Sequence, residues 1–343
     1  MKKRYIIYIC LVLLIVFGSV LDVTKPVRPN IQLPGEILIP WGEGSPLAGF
    51  FGQGLTNTFV ATVLTWLLLL LLVWRLRARS RTADEVPTGF YNFFEMIIEG
   101  VYGFVQNAAG KWAKTFFPFF MTFVLLILTA NWMELIPGVD SIGKWEDLGH
   151  HHVEVAEAAA AAEGRELTEE EIHTIEEEAK LEGGKQSGIF LLRAGEGEEA
   201  GMQLVPYVRA AATDLNFTVA LALVSVVMTQ YFGFKALGAG YLKKFFNYNA
   251  DKIAKNPLGL MDTLVGILEL ISEFSKILSF AFRLFGNIFA GQVLLFVIGA
   301  LLPVANIGVF GLEFFVHVIQ ALVFAMLTLT FMSGATHGHA EEH

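Results

Sequence analysis

The chain has 343 residues, of which 54% are hydrophobic and only 17% are charged. Soluble globular domains carry about 25% charged residues, so this composition argues against a soluble domain and for a protein that is solvated by lipid. The net charge of -9 is unevenly distributed, because residues 140–200 hold 17 of the 33 acidic residues and 5 of the 24 basic ones. The single cysteine, Cys10, excludes an intrachain disulfide.

The first apolar run covers residues 5–21 and follows the basic start Met-Lys-Lys-Arg. A basic start before an apolar run is typical of a membrane anchor and also of a secretory signal that is removed. The run is longer than a typical signal core and no clear small-x-small cleavage site follows it, which favours an uncleaved anchor. Residues 22–54 are rich in Pro and Gly, which indicates an extramembrane connector.

A second span is predicted at residues 55–74, directly before arginines at positions 75, 77, 79 and 81. The positive-inside rule places this end and the basic N-terminus in the cytoplasm, so that the connector lies outside. Residues 90–108 are apolar with Glu95 and Glu99 four apart, which predicts an amphipathic helix in the membrane interface. A third span, residues 116–136, is expected to end outside at Pro137.

The acidic segment that follows holds a capping-box pattern and a run of histidines. Thr168 with Glu171 predicts the start of a short solvated helix. Three consecutive histidines, residues 150–152, are candidate metal ligands, but consecutive histidines do not easily share one tetrahedral ion and no Cys/His spacing accompanies them. We therefore predict an exposed loop and no metal site.

A fourth span, residues 215–234, returns to the cytoplasm, where lysines again satisfy the charge rule. Two long apolar helices follow at residues 258–300 and 308–333. The first greatly exceeds the roughly 20 residues of an untilted span, so it must be tilted, curved or broken. The predicted fold is an all-α polytopic membrane protein with about six apolar helices, including an N-terminal anchor, an interfacial amphipathic helix and two long tilted C-terminal helices that form a hairpin.

Polar residues recur along one face of the fifth span at steps of 3, 4, 3, 4 and 4. They are Glu269, Ser272, Lys276, Ser279, Arg283 and Asn287. A charge at the bilayer centre costs at least about 2.5–3.5 kcal/mol, so this face must meet protein or water. A helix-packing seam would explain the serines and the asparagine, but it hardly explains the arginine.

Arg283 is the centre of the predicted site. Its guanidinium cannot be deprotonated in proteins, and Glu269 lies about 21 Å away along the helix axis. Because an uncompensated charge is expensive, we expect another polypeptide to supply the carboxylate. Gly286 and Ala290 beside the arginine would let a partner helix approach closely, although packing within the chain would also explain them.

The sixth span carries a shorter stripe at i, i+4 and i+7, formed by Glu313, His317 and Gln320. If the last two helices turn near Val304, Glu313 lies level with about residue 295 and is a neighbour in depth of Gln292. Gln292 follows Arg283 by nine residues and so points to the opposite side of its helix. We therefore predict two separate polar pathways, one open to each side, with the cation between them.

The residues around the arginine, Ser-Phe-Ala-Phe-Arg-Leu-Phe-Gly-Asn-Ile-Phe-Ala-Gly at 279–291, closely resemble the signature of subunit a of F-type ATP synthases. The resemblance extends to residues 131–137, 213–218, 220–223, 301–303 and 320–328. It covers most of residues 55–138 and 205–335.

The resemblance implies a stator subunit of the membrane Fo sector that forms two aqueous half-channels for protons, with ATP chemistry on other subunits and no cofactor. In the family the arginine faces the carboxylates of a rotating c-subunit ring, and Arg283 takes that position. Glu313 matches the family's polar position on the last helix, and Gln292 matches its partner on the preceding helix; both positions belong to the outer pathway. Glu269, Ser279, Asn287 and Gln320 match positions that line the half-channels or support the arginine, and Ser272, Lys276 and His317 extend the two stripes of this sequence.

The implied partners are the c-subunit ring, the peripheral-stalk b subunits, the rest of the F-type ATP synthase and the lipid bilayer; nothing indicates nucleic acid. The implied location is the bacterial plasma (inner) membrane, which the chain crosses several times, with the C-terminus and an uncleaved N-terminus cytoplasmic and residues 139–205 external. The predicted organisation is an anchor or signal with its connector (1–54), membrane helices with the interfacial helix (55–138), an acidic external insertion (139–205), an ion-translocating domain (206–336) and a polar tail (337–343).

Three features depart from the family pattern. Gln292 cannot carry a proton, so Glu313, alone or with His317, must do so in the outer pathway. The acidic insertion is longer than the family's usual loop, and the N-terminal span is additional. The alternative function is a self-contained secondary transporter or channel. Such proteins often contain internal repeats, but the first half of this sequence contains no repeat of the Arg283 segment. A purely structural anchor for the stalk is a second alternative.

Overall fold

The computed structural model describes residues 35–40, 54–79, 89–136, 142–147, 167–182, 202–245, 259–301 and 305–337, with scattered residues between 139 and 165. The predicted N-terminal span, residues 5–21, lies outside the described residues. The principal helices in chain order are α1 (Asn57–Arg79), α2 (Phe90–Ala109), α3 (Ala113–Trp132), α4 (Glu169–Glu182), α5 (Leu215–Leu237), α6 (Gly259–Leu301) and α7 (Asn306–Thr336).

Five stretches of these described residues are long and apolar enough to cross a membrane. They are Asn57–Arg77, Asn92–Trp132, Leu215–Leu242, Leu264–Ile298 and Asn306–Thr336. In lipid a helix satisfies its backbone hydrogen bonds internally, which explains why the apolar runs fold in this way. The prediction of an all-α polytopic membrane protein is confirmed. The second stretch joins α2 to α3, and the placement of α2 in the interface stays a prediction.

The ends of two spans follow from local chemistry. α5 begins after Asp214, whose side chain accepts a hydrogen bond from the Asn216 amide at 2.9 Å. It ends at Gly238, which has a φ of 59°. α3 ends at Trp132 rather than at residue 136 as predicted, because the next amides bond three residues back and tighten the chain into turns.

The described chain divides into two compact units. Unit 1 comprises Met1–Thr62, Trp132–Thr213 and Phe289–Phe315. It contains two small antiparallel sheets that the sequence did not reveal: β1 (Ile37–Pro40) pairs with β2 (Gly54–Thr56), and β3 (Gly143–Asp147) pairs with β4 (Met202–Pro206). The second sheet joins the two ends of the acidic insertion.

Asn57, at the start of α1, fastens three segments of unit 1 together. Its Nδ2 donates to Glu36 Oε2 at 2.8 Å and to the Pro206 carbonyl at 3.2 Å. The Glu36 amide in turn donates to Asn57 Oδ1 at 3.1 Å. Because Asn57 and Glu36 are both buried, these bonds satisfy polar groups that would otherwise lose water without compensation.

Unit 2 comprises Val63–Asn131, Asp214–Ile288 and Val316–His343. Aromatic rings fill its core: Phe116 meets Phe232 edge-on at 4.9 Å between centroids, and Phe280 meets Phe324 in the same way at 5.0 Å. Between α5 and α7, the buried hydroxyls of Ser225 and Thr328 share a hydrogen bond of 2.8 Å. Interhelical polar contacts of this kind are common where helices pack in a membrane.

Candidate functional site

The predicted arginine face is open in this chain. α6 is continuous through the stripe, and Ser272, Ser279, Arg283 and Asn287 are all exposed. Arg283 Nη2 donates to Ser279 Oγ at 3.4 Å. Within the described ranges no carboxylate forms an ion pair with Arg283. The guanidinium therefore stands on a helix surface with only a weak neutral partner of its own chain.

The small residues beside Arg283 are also uncovered. Gly286 and Ala290 are exposed, and a Cβ added at Gly286 would have open space around it. Phe282, on the same exposed arc, is 55% accessible. Packing within the chain was the alternative explanation for the small residues near the arginine: it accounts for Gly291, which is buried against Glu313, but not for Gly286 and Ala290.

Glu313 and Gln292 both belong to unit 1 and are buried, with 4% and 3% exposure. The Glu313 carboxylate lies against Gly291 so closely that a Cβ there would overlap it. The Glu313 carboxylate thus lies beside residue 291, where the missing side chain of the glycine leaves room for it. The predicted nearness in depth of Glu313 and Gln292 stays a prediction.

His317 follows Glu313 by one turn on α7 and is also buried, with 1% exposure. Gln320 is half-buried. Gln320, Ser272 and Asn287 form no side-chain hydrogen bond with another residue in the described part of the chain. The structure therefore places the Glu313 carboxylate beside Gly291, the residue before Gln292, and does not link every predicted polar residue into one network.

At the other end of the stripe, an ion-pair cluster that the sequence did not reveal surrounds Glu273. Lys244 Nζ contacts Glu269 Oε1 at 2.6 Å and Glu273 Oε1 at 3.1 Å. Lys276 Nζ reaches the same Glu273 oxygen at 2.8 Å. Gln230 Nε2 donates to the other carboxylate oxygen of Glu273 at 2.9 Å. Two predicted residues, Glu269 and Lys276, thus belong to one charge-balanced group, which we call the Glu273 cluster.

Glycines position the segment that supplies Lys244. The chain turns at Gly238 and continues as a 3₁₀ helix, Gly238–Lys244. A Cβ at Gly233 would overlap the Tyr241 ring, and a Cβ at Gly266 would approach the Phe245 carbonyl at 2.5 Å. These close approaches bring Lys244 to the surface of α6 one turn before Glu269. The Tyr241 hydroxyl then donates to Gln230 Oε1 at 2.8 Å, which orients the amide that holds Glu273.

Lys244 remains a cation in this cluster. Burial lowers its pKa, but hydrogen bonds to Glu269 and Glu273 outweigh that effect, so that the pKa is raised above the ordinary value of 10.5. Glu273 was missed because it lies off the polar stripe. Its spacing was nevertheless informative, since it follows Glu269 by four residues and precedes Lys276 by three, which are the spacings of helix-surface neighbours.

No group of three or more His, Cys, Asp or Glu side chains suited to a metal occurs among the described residues. Of the three consecutive histidines, His150 and His151 lie outside them.

The fold and this geometry define a multi-pass α-helical membrane protein that displays an arginine on an uncovered face of a membrane-spanning helix. The family model of the ATP synthase A chain matches residues 59–333, and the chain therefore belongs to that family. The resemblance found in the sequence is confirmed.

Curated relatives agree with this assignment. ATP synthase subunit a of Geobacter sp. (strain M21) is 25% identical over 281 residues, which cover 81% of this chain and 89% of the relative. The same subunit of Citrifermentans bemidjiense is 24% identical over 281 residues, with the same coverage. That of Syntrophobacter fumaroxidans is 24% identical over 301 residues, or 86% of this chain and 92% of the relative.

Proposed function

We propose that this chain is the stator subunit of the membrane sector of a proton-translocating F-type ATP synthase, with Arg283 facing the carboxylates of a c-subunit ring. The observation that carries the proposal is the exposed arginine on an apolar helix, with Ser279 as its neighbour and no carboxylate paired to it in the described ranges. A fixed cation in lipid requires a counter-charge. A mobile partner carboxylate supplies one at each step of rotation.

Protons enter by an outer pathway past Glu313 and Gln292. Glu313 is the group that takes up and passes on the proton, because the Gln292 amide does not titrate. His317, one turn further on the same helix, adds a second titratable group to this pathway. The proton then moves to a ring carboxylate, whose neutral form can rotate into lipid.

After nearly a full turn the protonated carboxylate meets Arg283. The guanidinium favours the ionised carboxylate, so the proton leaves through the inner pathway at the Ser272, Lys276 and Glu269 end of the stripe. Ser279, Asn287 and Gln320 support the arginine between the two pathways. Since the cation separates them, neither pathway crosses the membrane alone. One charge that moves through roughly 150 mV releases about 3.5 kcal/mol, so several protons are required for each ATP.

The subunit is not an enzyme on its own in this scheme, because ATP is made or hydrolysed on other subunits. Its partners are the c ring, the b subunits of the peripheral stalk and the rest of the complex. We place it in the bacterial inner membrane with both termini in the cytoplasm and residues 139–205 outside. This orientation rests on the basic residues at and after the C-terminal ends of α1 and α5.

Proton pumping driven by ATP in inverted membrane vesicles tests the proposal. Arg283→Ala is expected to abolish proton uptake, while the complex still assembles and its head still hydrolyses ATP. Arg165→Ala is the matched control, since Arg165 is an exposed residue of the acidic insertion that pairs with Glu171. Unchanged pumping in Arg283→Ala would refute the proposal. A self-contained transporter would instead move protons in liposomes that contain this chain alone.

A further inference from the structure

Lys276 is a second cation on the line of Arg283, and the structure holds it differently. The two residues are seven apart on α6, so their side chains leave the helix within about 20° of each other and about 10 Å apart along its axis. Lys276 nevertheless turns to Glu273, with Nζ 2.8 Å from Oε1 and 4.7 Å from the centroid of the Phe331 ring. Its side chain is 19% exposed, whereas Arg283 is open.

Glu273 is held so that it can bind Lys276. The Gln230 amide donates to one carboxylate oxygen, and Lys244 and Lys276 share the other. The Glu273 side chain is only 8% exposed. Lys244 in turn contacts Glu269, so the cluster contains two cations and two anions. A four-membered set of this kind has no net charge to present to a partner.

We propose that Glu273 is a positioning residue for ion translocation: it holds Lys276 off the arginine face, so that a partner carboxylate meets one cation there. This inference rests on the proposed function. A lysine freed from Glu273 would extend along the face of Arg283 and attract the same carboxylate about two turns away. The carboxylate would then be stabilised in its ionised form at the wrong level, and each step past the arginine would be slowed.

Charge-compensating variants of the whole complex test the role of Glu273. Glu273→Gln removes the anion but keeps the shape, and we expect ATP-driven proton uptake to fall by roughly fivefold, the factor that corresponds to one partly exposed ion pair. Adding Lys276→Met to this variant is expected to return the rate to that of Lys276→Met alone. Adding Lys244→Met instead restores the net charge but leaves Lys276 released, so the rate should stay low.

Rates are normalised to the amount of this subunit in the purified complex, and Glu178→Gln, an exposed residue of α4, is the matched control. The inference is wrong if Glu273→Gln pumps normally, if the Lys276→Met double variant stays as slow as Glu273→Gln, or if both double variants recover equally. Should Glu273→Gln fail to assemble, Glu273→Asp replaces it: we expect a smaller loss that Lys276→Met again relieves, and a loss that it does not relieve would overturn the inference. Failure of the proposed function is separate, because it would appear as pumping in Arg283→Ala.

Discussion

Lys276 and Arg283 lie two turns apart on one helix, yet their surroundings differ in kind. Lys276 has its counter-charge on Glu273, an aromatic ring beneath it and a second lysine opposite. Arg283 has a serine hydroxyl and an open surface of small residues. Charges in a lipid-solvated helix must be compensated. The closed site, around Lys276, achieves this within the chain. In the proposed function the open site, around Arg283, leaves compensation to a partner, and the difference then separates charges that build the subunit from the charge that couples it to another.

Filling the open surface at Gly286 should cause the largest loss of proton pumping among the following variants. Gly286→Leu places a branched side chain where the structure has open space, so the chain itself has no reason to unfold. A partner helix, however, could no longer approach Arg283 closely. We expect ATP-driven proton uptake to fall at least tenfold, as a barrier increase of about 1.4 kcal/mol would produce, while the melting temperature of the isolated subunit does not fall.

Gly308→Leu is the control for this variant, because Gly308 is also uncovered in the structure but lies at the start of α7, far along the chain from the arginine. Normal pumping in Gly286→Leu would show that no partner approaches this face. Equal losses in the two glycine variants would show that the effect is not specific to the arginine surface.

A second pair of glycines sharpens the contrast between open and closed sites on α6. Gly291→Ala forces a Cβ into the Glu313 carboxylate, whereas Gly286→Ala meets nothing. Alanine gains roughly 0.5–1 kcal/mol over glycine within a helix, but at Gly291 the buried Glu313 carboxylate must also shift, which offsets that gain. The melting temperature of the detergent-solubilised subunit should therefore rise more for Gly286→Ala than for Gly291→Ala. Equal shifts would contradict the contact between Gly291 and Glu313.

Much of the open site was predictable from sequence, because spacing along a helix fixes which residues share a face. Four members of the stripe, Ser272, Ser279, Arg283 and Asn287, are exposed along α6 for that reason. The closed site was not predictable in the same way. Lys244 reaches Glu273 only because the chain folds back after Gly238, and a contact across a turn leaves no periodic signal in the sequence.

The fold shows the same limit. Apolar runs in the sequence indicated the membrane-spanning helices α1, α3, α5, α6 and α7, since length and hydropathy determine what can cross a bilayer. The pairing of β3 with β4, in contrast, joins residues about 60 positions apart. Short strands of mixed polarity carry no sequence pattern that identifies the strand with which they pair. The fit of the Glu313 carboxylate against Gly291 was also not predictable, because it depends on packing rather than on helix geometry.

High pH offers a way to open the Glu273 cluster without mutation. The pKa of Lys244 in the folded chain is raised above 10.5, because its carboxylate partners outweigh its burial. Its contribution to stability is therefore fully present below pH 10.5 and is lost as the pH rises through the raised value. We expect a loss of about 1 kcal/mol, measured as a drop in the melting temperature of the solubilised subunit above pH 10.5. Lys244→Met should remove most of this dependence; an identical alkaline drop in that variant would show that other groups cause it.

We expect the smallest effect on stability from the exposed capping box of α4 and its ion pair with Arg165. In the acidic insertion, Thr168 and Glu171 form the predicted capping box at the start of α4: the Thr168 amide donates to Glu171 Oε2 at 2.9 Å, and the Glu171 amide donates to Thr168 Oγ1 at 3.4 Å. The bond from the Thr168 amide, followed by that from Arg165, lowers the pKa of Glu171 below 4.5. The capping contribution is thus present above pH 4.5 and fades as the pH falls through the lower value.

Hydrogen exchange of the first amides of α4 should report this loss, with faster exchange than the intrinsic pH dependence explains once the pH drops below 4.5. Glu171→Ala should already exchange faster at neutral pH, and Glu178→Ala, at an exposed position later in α4, should not. Because water solvates this pair on all sides, added salt should weaken the Arg165 contact while leaving the Glu273 cluster nearly unaffected. If salt weakened both sites equally, the Glu273 cluster would be as accessible to solvent as the exposed Arg165–Glu171 pair, and the distinction between an enclosed and an exposed ion pair would fail.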